Sequence, residues 1–199
     1  TTKLPTMMLN CREDNERIFN EQLEKCGVDY FDYYLLHCIT TENYENAKKY
    51  DCFEFAKKLK EEGKAKVIGF SFHDDAVLLE KVLKEHPEME VVQLQINYID
   101  WENDNVQSRK CYEVCEKYGK QVIVMEPVKG GILANVPSEA QALFMAAEPD
   151  MSVASWAVRF AASHKNVFMV LSGMSNLEQV NDNMSYMKDF KPLNESELE

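Results

Sequence analysis

The sequence is short of positive charge: 22 Lys and Arg stand against 34 Asp and Glu, a formal net charge of −12. An acidic surface repels phosphate backbones and anionic lipids at long range, which argues against nucleic acid or a membrane as partner. No apolar run approaches the length that crosses a bilayer. No G-x-G-x-x-G turn follows any candidate strand, so a doubly wound dinucleotide fold has no fingerprint here. Cysteine is present without a pattern. Cys11, Cys26, Cys38, Cys52, Cys111 and Cys115 show neither the dense spacing of a secreted disulfide scaffold nor a paired C-x-x-C zinc site. Reduced thiols in a cytoplasmic protein are the expectation. The opening Thr1-Thr2-Lys3-Leu4-Pro5 is neither a signal peptide nor an initiator methionine, so the chain is expected to begin partway through something longer.

What is present suits a folded core. The 199 residues are 45% apolar, enough for one domain over 1–199 or most of a larger barrel. Asn10 with Glu13 three residues later predicts a helix start, and Gly27 its left-handed stop. Tyr30 to Leu36 reads as a buried strand ending at His37. A helix from Ala47 to Glu62 should stop at Gly63, before a strand from Lys66 to Phe72. Asp74 is placed to cap the next helix, followed by a strand from Val91 to Tyr98, a helix ending at Gly119 and a strand from Gln121 to Met125. Helices near 138–147 and 152–163 precede the apolar run Val167 to Leu171. Asn176 with Gln179 then starts a last helix whose Leu177, Val180, Met184 and Met187 lie on one side.

Counting Thr1 to Lys3 as a strand end gives six strands alternating with helices, which requires a parallel sheet with right-handed crossovers. A closed (β/α)8 barrel of the TIM type has eight strands and about 250 residues. The expectation is therefore an α/β fold, an incomplete barrel of about six βα units with two opening units absent. A six-stranded doubly wound sheet is the alternative. Removing two strands leaves two open sheet edges, through which oligomers are expected to form.

In parallel barrels the chemistry sits where strands end. Those positions carry Lys3, His37, Ser71, Gln95 and Glu126. An ammonium, an imidazole, a hydroxyl and an amide at one mouth suit polarising a carbonyl and holding a cofactor amide. Here the sequence resembles the aldo/keto reductases through nearly its whole length. The matching stretches are Thr2 to Pro5, Asp29 to His37, Gly63 to Ser71, Gln95-Ile96-Asn97-Tyr98, and Ser172 to Gln179 with Asn183.

The resemblance implies an NAD(P)H-dependent oxidoreductase that reduces aldehydes or ketones, small carbonyl molecules, to alcohols. In that family a tyrosine protonates the oxygen, aided by a lysine, a histidine and an aspartate. Lys3 matches the lysine and His37 the histidine. A nearby ammonium favours phenolate and lowers a tyrosine pKa, while imidazole orients the carbonyl. The tyrosine and aspartate belong to the absent units, so this piece alone is expected to be nearly inactive.

The resemblance also implies cofactor contacts, to NADPH or NADH. Ser71 and Gln95 match carboxamide-binding positions, although Phe72 replaces the asparagine that usually follows the serine. Met125 stands where many relatives stack a tyrosine on the nicotinamide. Glu126, Pro127, Val128, Lys129 and Gly130, with Gly131, resemble the loop over the pyrophosphate, where glycine permits close backbone approach. Ser175, Gln179 and Asn183 match the adenosine-phosphate site at a helix start, yet no arginine or lysine is there.

Other readings of the same residues are weaker. His37, His73 and Asp74 could be metal ligands of a barrel hydrolase, but Asp74 reads better as a cap. Cys111 and Cys115, four apart on a helix, read as core, as do Trp156 and Phe160. Some relatives continue into a cysteine-rich iron–sulfur segment, and no such cluster appears here. The competing function is a non-catalytic nucleotide-binding regulatory subunit of the same fold.

Overall fold

The computed structural model describes residues 1–198. Six parallel strands, β1 (Thr2–Leu4), β2 (Phe31–Ile39), β3 (Ala65–Phe72), β4 (Val91–Gln95), β5 (Gln121–Met125) and β6 (Val167–Val170), pair in chain order into one sheet. Helices α1 (Glu13–Cys26), α2 (Thr41–Lys49), α3 (Cys52–Glu61), α4 (Ala76–Glu85), α5 (Ser108–Lys117), α6 (Ser138–Ala147) and α7 (Val153–Ala162) lie between them. Helices α8 (Leu177–Met187) and α9 (Glu195–Leu198) follow β6.

The strand order never reverses, whereas a doubly wound sheet must reverse at its switch point. The sheet also curls. Tyr33 on β2 and Phe168 on β6 stack with ring centroids 5.5 Å apart. On a flat sheet, four strand spacings of about 4.8 Å would hold them about 19 Å apart. The architecture is thus an incomplete parallel (β/α) barrel of six strands, and among the described residues β1 and β6 are not paired with each other.

Burial follows the two faces of the sheet. The main core lies between sheet and helices and is filled by residues such as Leu4, Phe19, Tyr34, Leu36, Ile68 and Phe70. The inner face has a smaller cluster of Leu35, Val91 and Ile123 with Tyr33 and Val67. Lys3, Leu35, Gly69 and Val91 are register partners across β1 to β4, so Lys3 shares the inward row. Glycine is required at 69, where an added Cβ would lie 1.9 Å from the Val91 carbonyl oxygen.

Local details depart from the expected ones. Asn10 does not cap α1; the Asp14 carboxylate reaches back instead, accepting from the N–H of Asn10 at 2.8 Å and of Cys11 at 3.3 Å. Gly27 does end that helix at φ 63°. The single helix expected over 47–62 is two, because Asp51 adopts φ 53° between α2 and α3. Asp75, not Asp74, caps α4 by accepting from the Leu78 N–H; Asp74 accepts from the Thr41 N–H and hydroxyl. The strand expected over 91–98 ends at Gln95, since Asn97 turns its side chain to the loop. Asn176 caps α8 as expected, accepting from the Gln179 N–H at 2.9 Å. Its expected apolar side is not buried: Leu177 and Met184 are exposed, and Tyr186 is the residue that packs. All six cysteines are free thiols, and Cys52, Cys111 and Cys115 are buried.

Candidate functional site

The carboxyl ends of β1 to β3 form one rim. Lys3 sits on β1 beside Leu35, and His37 lies two residues further along β2. The β2–β3 register slips between Leu36 and Ile39, and Cys38 takes φ 60°. Such a bulge re-aims the side chains around it, here at His37. Two hydrogen bonds fix it: the Cys38 N–H donates to Ser71 Oγ at 2.8 Å, and Thr6 Oγ1 donates to the His37 carbonyl at 2.8 Å.

The electrostatics tie the rim together. Burial lowers the pKa of Lys3, with a thiol at Cys38 acting in the opposite direction. Burial lowers His37 as well, and the Lys3 ammonium pushes it further down. His73, just past β3, is lowered by burial, then by Lys3 and by His37. One ammonium and two imidazoles therefore feel one another, and the imidazoles are favoured in their neutral form. Among the described residues no three His, Cys, Asp or Glu side chains converge to hold a metal ion.

Beside the rim a cavity of about 170 Å³ opens between the ends of β3 and β4, with Phe72, His73, Asp74, Gln95 and Cys111 in its walls. Ser71 is fully buried beneath it, its hydroxyl accepting from the Cys38 N–H. Gln95 ends β4 and pairs in register with Met125, which ends β5 and is half-buried.

A larger cavity of about 240 Å³ lies between the loop after β5, the segment after β6 and the first turns of α8. It brings together Glu126, Pro127, Val128, Gly130, Gln179 and Asn183. Glu126 and Lys129 adopt φ 57° and 48°, and Gly130 and Gly131 adopt 62° and 93°, a tight left-handed path that two glycines make feasible. Ser175 borders the same place: its N–H donates to Gln179 Oε1 at 2.7 Å. Asn183 donates from Nδ2 to Ser172 Oγ at 2.8 Å and accepts from the Tyr186 hydroxyl. Ser172 and Asp182, in the same walls, were not singled out from the sequence.

Lys129, in the same loop, is not one of the residues that line that cavity. Its Nζ lies 2.5 and 2.7 Å from the two oxygens of Asp100, a side chain almost wholly buried. Asp100 also accepts from Gln95 Nε2 at 2.7 Å and Asn97 Nδ2 at 2.8 Å. Burial opposes ionisation of this carboxyl, but the hydrogen bonds from Lys129, Asn97 and Gln95 prevail and hold its pKa below the ordinary value. Asp100 thus joins the end of β4 to the loop after β5. Sequence reasoning missed it because it looks like one more loop carboxylate; the Asn97-x-x-Asp100 spacing was the available signal, since Asn97 Oδ1 accepts from the Asp100 N–H. His73 was weighed only as a metal ligand, and its place on the rim depends on a turn that spacing does not reveal.

The Aldo/keto reductase family profile matches residues 1–199. No match is found among curated protein sequences. Among solved structures, the holo form of aldo-keto reductase AKR11C1 from Bacillus halodurans is 21% identical at a TM-score of 0.77, over 99% of this chain and 68% of that one. A thermostable aldo-keto reductase, Tm1743, solved with the inhibitor epalrestat, is 20% identical at 0.78, over 98% and 67%. An aldo/keto reductase from Klebsiella pneumoniae, solved with NADP and acetate, is 20% identical at 0.70, over 92% and 62%. At these identities the likeness speaks for the shared barrel fold.

Proposed function

The chain belongs to the aldo/keto reductase family, an oxidoreductase family, and on that premise we propose that it contributes the lysine and histidine half of a carbonyl-reducing site that uses NADPH or NADH. The observation that carries this reading is the placement of both residues at one rim: Lys3 on β1 is the register partner of Leu35, two residues before His37 on the neighbouring strand. Lys3 stabilises the phenolate form of a tyrosine proton donor. His37, kept neutral by burial and by Lys3, orients the carbonyl oxygen through one ring N–H without competing as an acid.

The residues around the larger cavity fit a dinucleotide. Gly131 would project an added Cβ into open space, so the loop backbone is reachable by a ligand there. Glu126 to Gly130 would line the pyrophosphate, and the N–H groups at the start of α8 with Ser175, Gln179 and Asn183 would meet the adenosine end. Ser71, Gln95 and Met125 would surround the nicotinamide, which supplies the hydride when bound. Because Asp100 engages Lys129, phosphate charge at the loop is met chiefly by backbone N–H groups.

The stretches that resemble the family do not include its tyrosine and aspartate, so the 199 residues by themselves are expected to bind cofactor and to be nearly inactive. The test measures NADPH oxidation over a panel of aldehydes and ketones for these residues alone and for a chain in which two βα units bearing that tyrosine and aspartate precede Thr1. Turnover in the longer chain, abolished by Lys3→Met, supports the reading. No turnover in the longer chain overturns it. The same measurements include light scattering, since β1 and β6, the edge strands of the sheet among the described residues, are expected to pair between copies.

A further inference from the structure

The cavity between the loop after β5 and the first turns of α8 has carboxylates in its walls. Glu126 stands on the loop side and Asp182 on the helix side, and among the described residues no lysine or arginine lines it. Two cations on the same elements are committed elsewhere. Lys129 is bound by both oxygens of Asp100, at 2.5 and 2.7 Å. Arg159 on α7, whose Ala154 lines the cavity, is buried and pairs with Glu148.

The carboxylates are placed by the fold. Gln179, Asp182 and Asn183 line the cavity from α8, at the spacing of one helix face. Asp182 accepts from the Ser152 hydroxyl at 2.7 Å, which fixes it in the wall. Glu126 is exposed and takes φ 57° where the chain leaves β5. A third carboxylate, Glu178, lies in the first turn of α8, where it already meets the partial positive charge of the helix start. Several donors at this end are also taken. The Ser175 N–H and hydroxyl both donate to Gln179 Oε1, at 2.7 and 3.2 Å, and the Gln179 N–H donates to Asn176 Oδ1 at 2.9 Å. Asn183 Nδ2 donates to Ser172 Oγ at 2.8 Å. A dianion arriving here would compete with these bonds and find no full positive charge in the walls. A ribose diol has the opposite needs, because its hydroxyls donate and a carboxylate accepts them.

On the reading that this cavity takes the adenosine half of a nicotinamide dinucleotide, we propose that Glu126 and Asp182 set its preference to NADH over NADPH. The two dinucleotides differ by one 2′-phosphate, which carries close to two negative charges at neutral pH. With two carboxylates roughly 8 Å away across a cavity of this size, and after screening by salt, that phosphate costs about tenfold in affinity. NADH keeps a 2′-hydroxyl, which a carboxylate accepts.

The test titrates the 199-residue chain with NADH and with NADPH by calorimetry, which needs no turnover. NADH is expected to bind about tenfold more tightly at low salt, and the gap should narrow as salt rises to about 0.5 M. In a chain carrying Glu126→Gln and Asp182→Asn, which keep the shapes and remove the charges, NADPH should gain about tenfold while NADH changes by less than about threefold. NADPH binding as tightly as NADH, or more tightly, would overturn the proposal and leave the cofactor reading standing. Binding of neither dinucleotide at millimolar concentration would overturn both. A gap that survives the two substitutions would show that these carboxylates do not set it, and would overturn the proposal as well.

Discussion

Lys129 holds both oxygens of Asp100, at 2.5 and 2.7 Å, and so anchors the loop after β5 to a carboxylate that is 1% exposed. Lys129→Met keeps the aliphatic stem and removes the charge. Asp100 would keep its bonds from Gln95 and Asn97 but lose its counter-ion, at a cost of about 2 kcal/mol, within the range for hydrogen bonds to charged groups. Urea denaturation reads this directly, and a change below about 0.5 kcal/mol would show that the pair does not hold the loop. The sign of the pH dependence follows from the lowered pKa. The stabilisation from Asp100 is fully present above the unfolded value of about 3.9 and is lost as pH falls through the lower folded value.

Gly69 and Gly27 predict opposite kinds of damage. An alanine at 69 would set its Cβ 1.9 Å from the Val91 carbonyl oxygen and 2.6 Å from Val91 Cγ1, forcing β3 and β4 apart. The expected cost is about 3 kcal/mol or more, typical of severe overpacking. An alanine at 27 meets no heavy atom within 4 Å and must only adopt φ 63°, at a cost of about 1 kcal/mol. Parallel unfolding curves for the two variants test the contrast; equal losses would mean that the approach of β3 to β4 relaxes without penalty.

The alternation of apolar runs with helix signals was enough to read the six parallel strands, because the central strands are continuous apolar runs, as in the buried Val91 to Leu94 of β4, and stops such as Gly27 are legible from spacing. The same signals left the fine detail open. Asp74 and Asp75 are chemically alike and adjacent, so which one caps α4 is decided by where Thr41 folds over, a contact across 33 residues. Leu177 and Met184 have helical spacing toward a core, yet α8 turns Tyr186 inward instead. Lys3 and His37 could be placed at strand ends from sequence, but the bulge at Cys38 that aims His37 could not, because nothing local distinguishes that cysteine. Asp100 belongs to the same class: its importance comes from Lys129, 29 residues away.

Lys3→Met is expected to raise the pKa of His37. Burial is the larger cause of the depression and survives the substitution, so the value should move part of the way back toward the ordinary one. His73 should move in the same direction, since Lys3 is its second cause and His37 its third. Proton NMR titration of the four imidazoles of the chain separates them, with His86 as the internal standard because Lys3 is not among the causes of its shift. Midpoints of His37 and His73 that stay fixed would place Lys3 away from the rim and remove the basis for pairing it with His37.

His164 supplies the acid sensitivity of the helical layer. Its ring stacks on Trp101 at 4.2 Å and 14°, its Nε2 is buried without a partner among the described residues, and burial drives its pKa down to about 4. The unfolded chain takes up this proton near pH 6.5, well before the folded chain does. Between those values the unfolded state binds more protons, so stability is complete above about 6.5 and declines as pH falls toward 4. His164→Phe preserves a flat ring against Trp101 and removes the titrating group. The variant should lose part of the decline between pH 6.5 and 4 seen in urea midpoints, with the remainder due to the other buried imidazoles, and an unchanged slope would mean that the proton reaches His164 in the fold without cost.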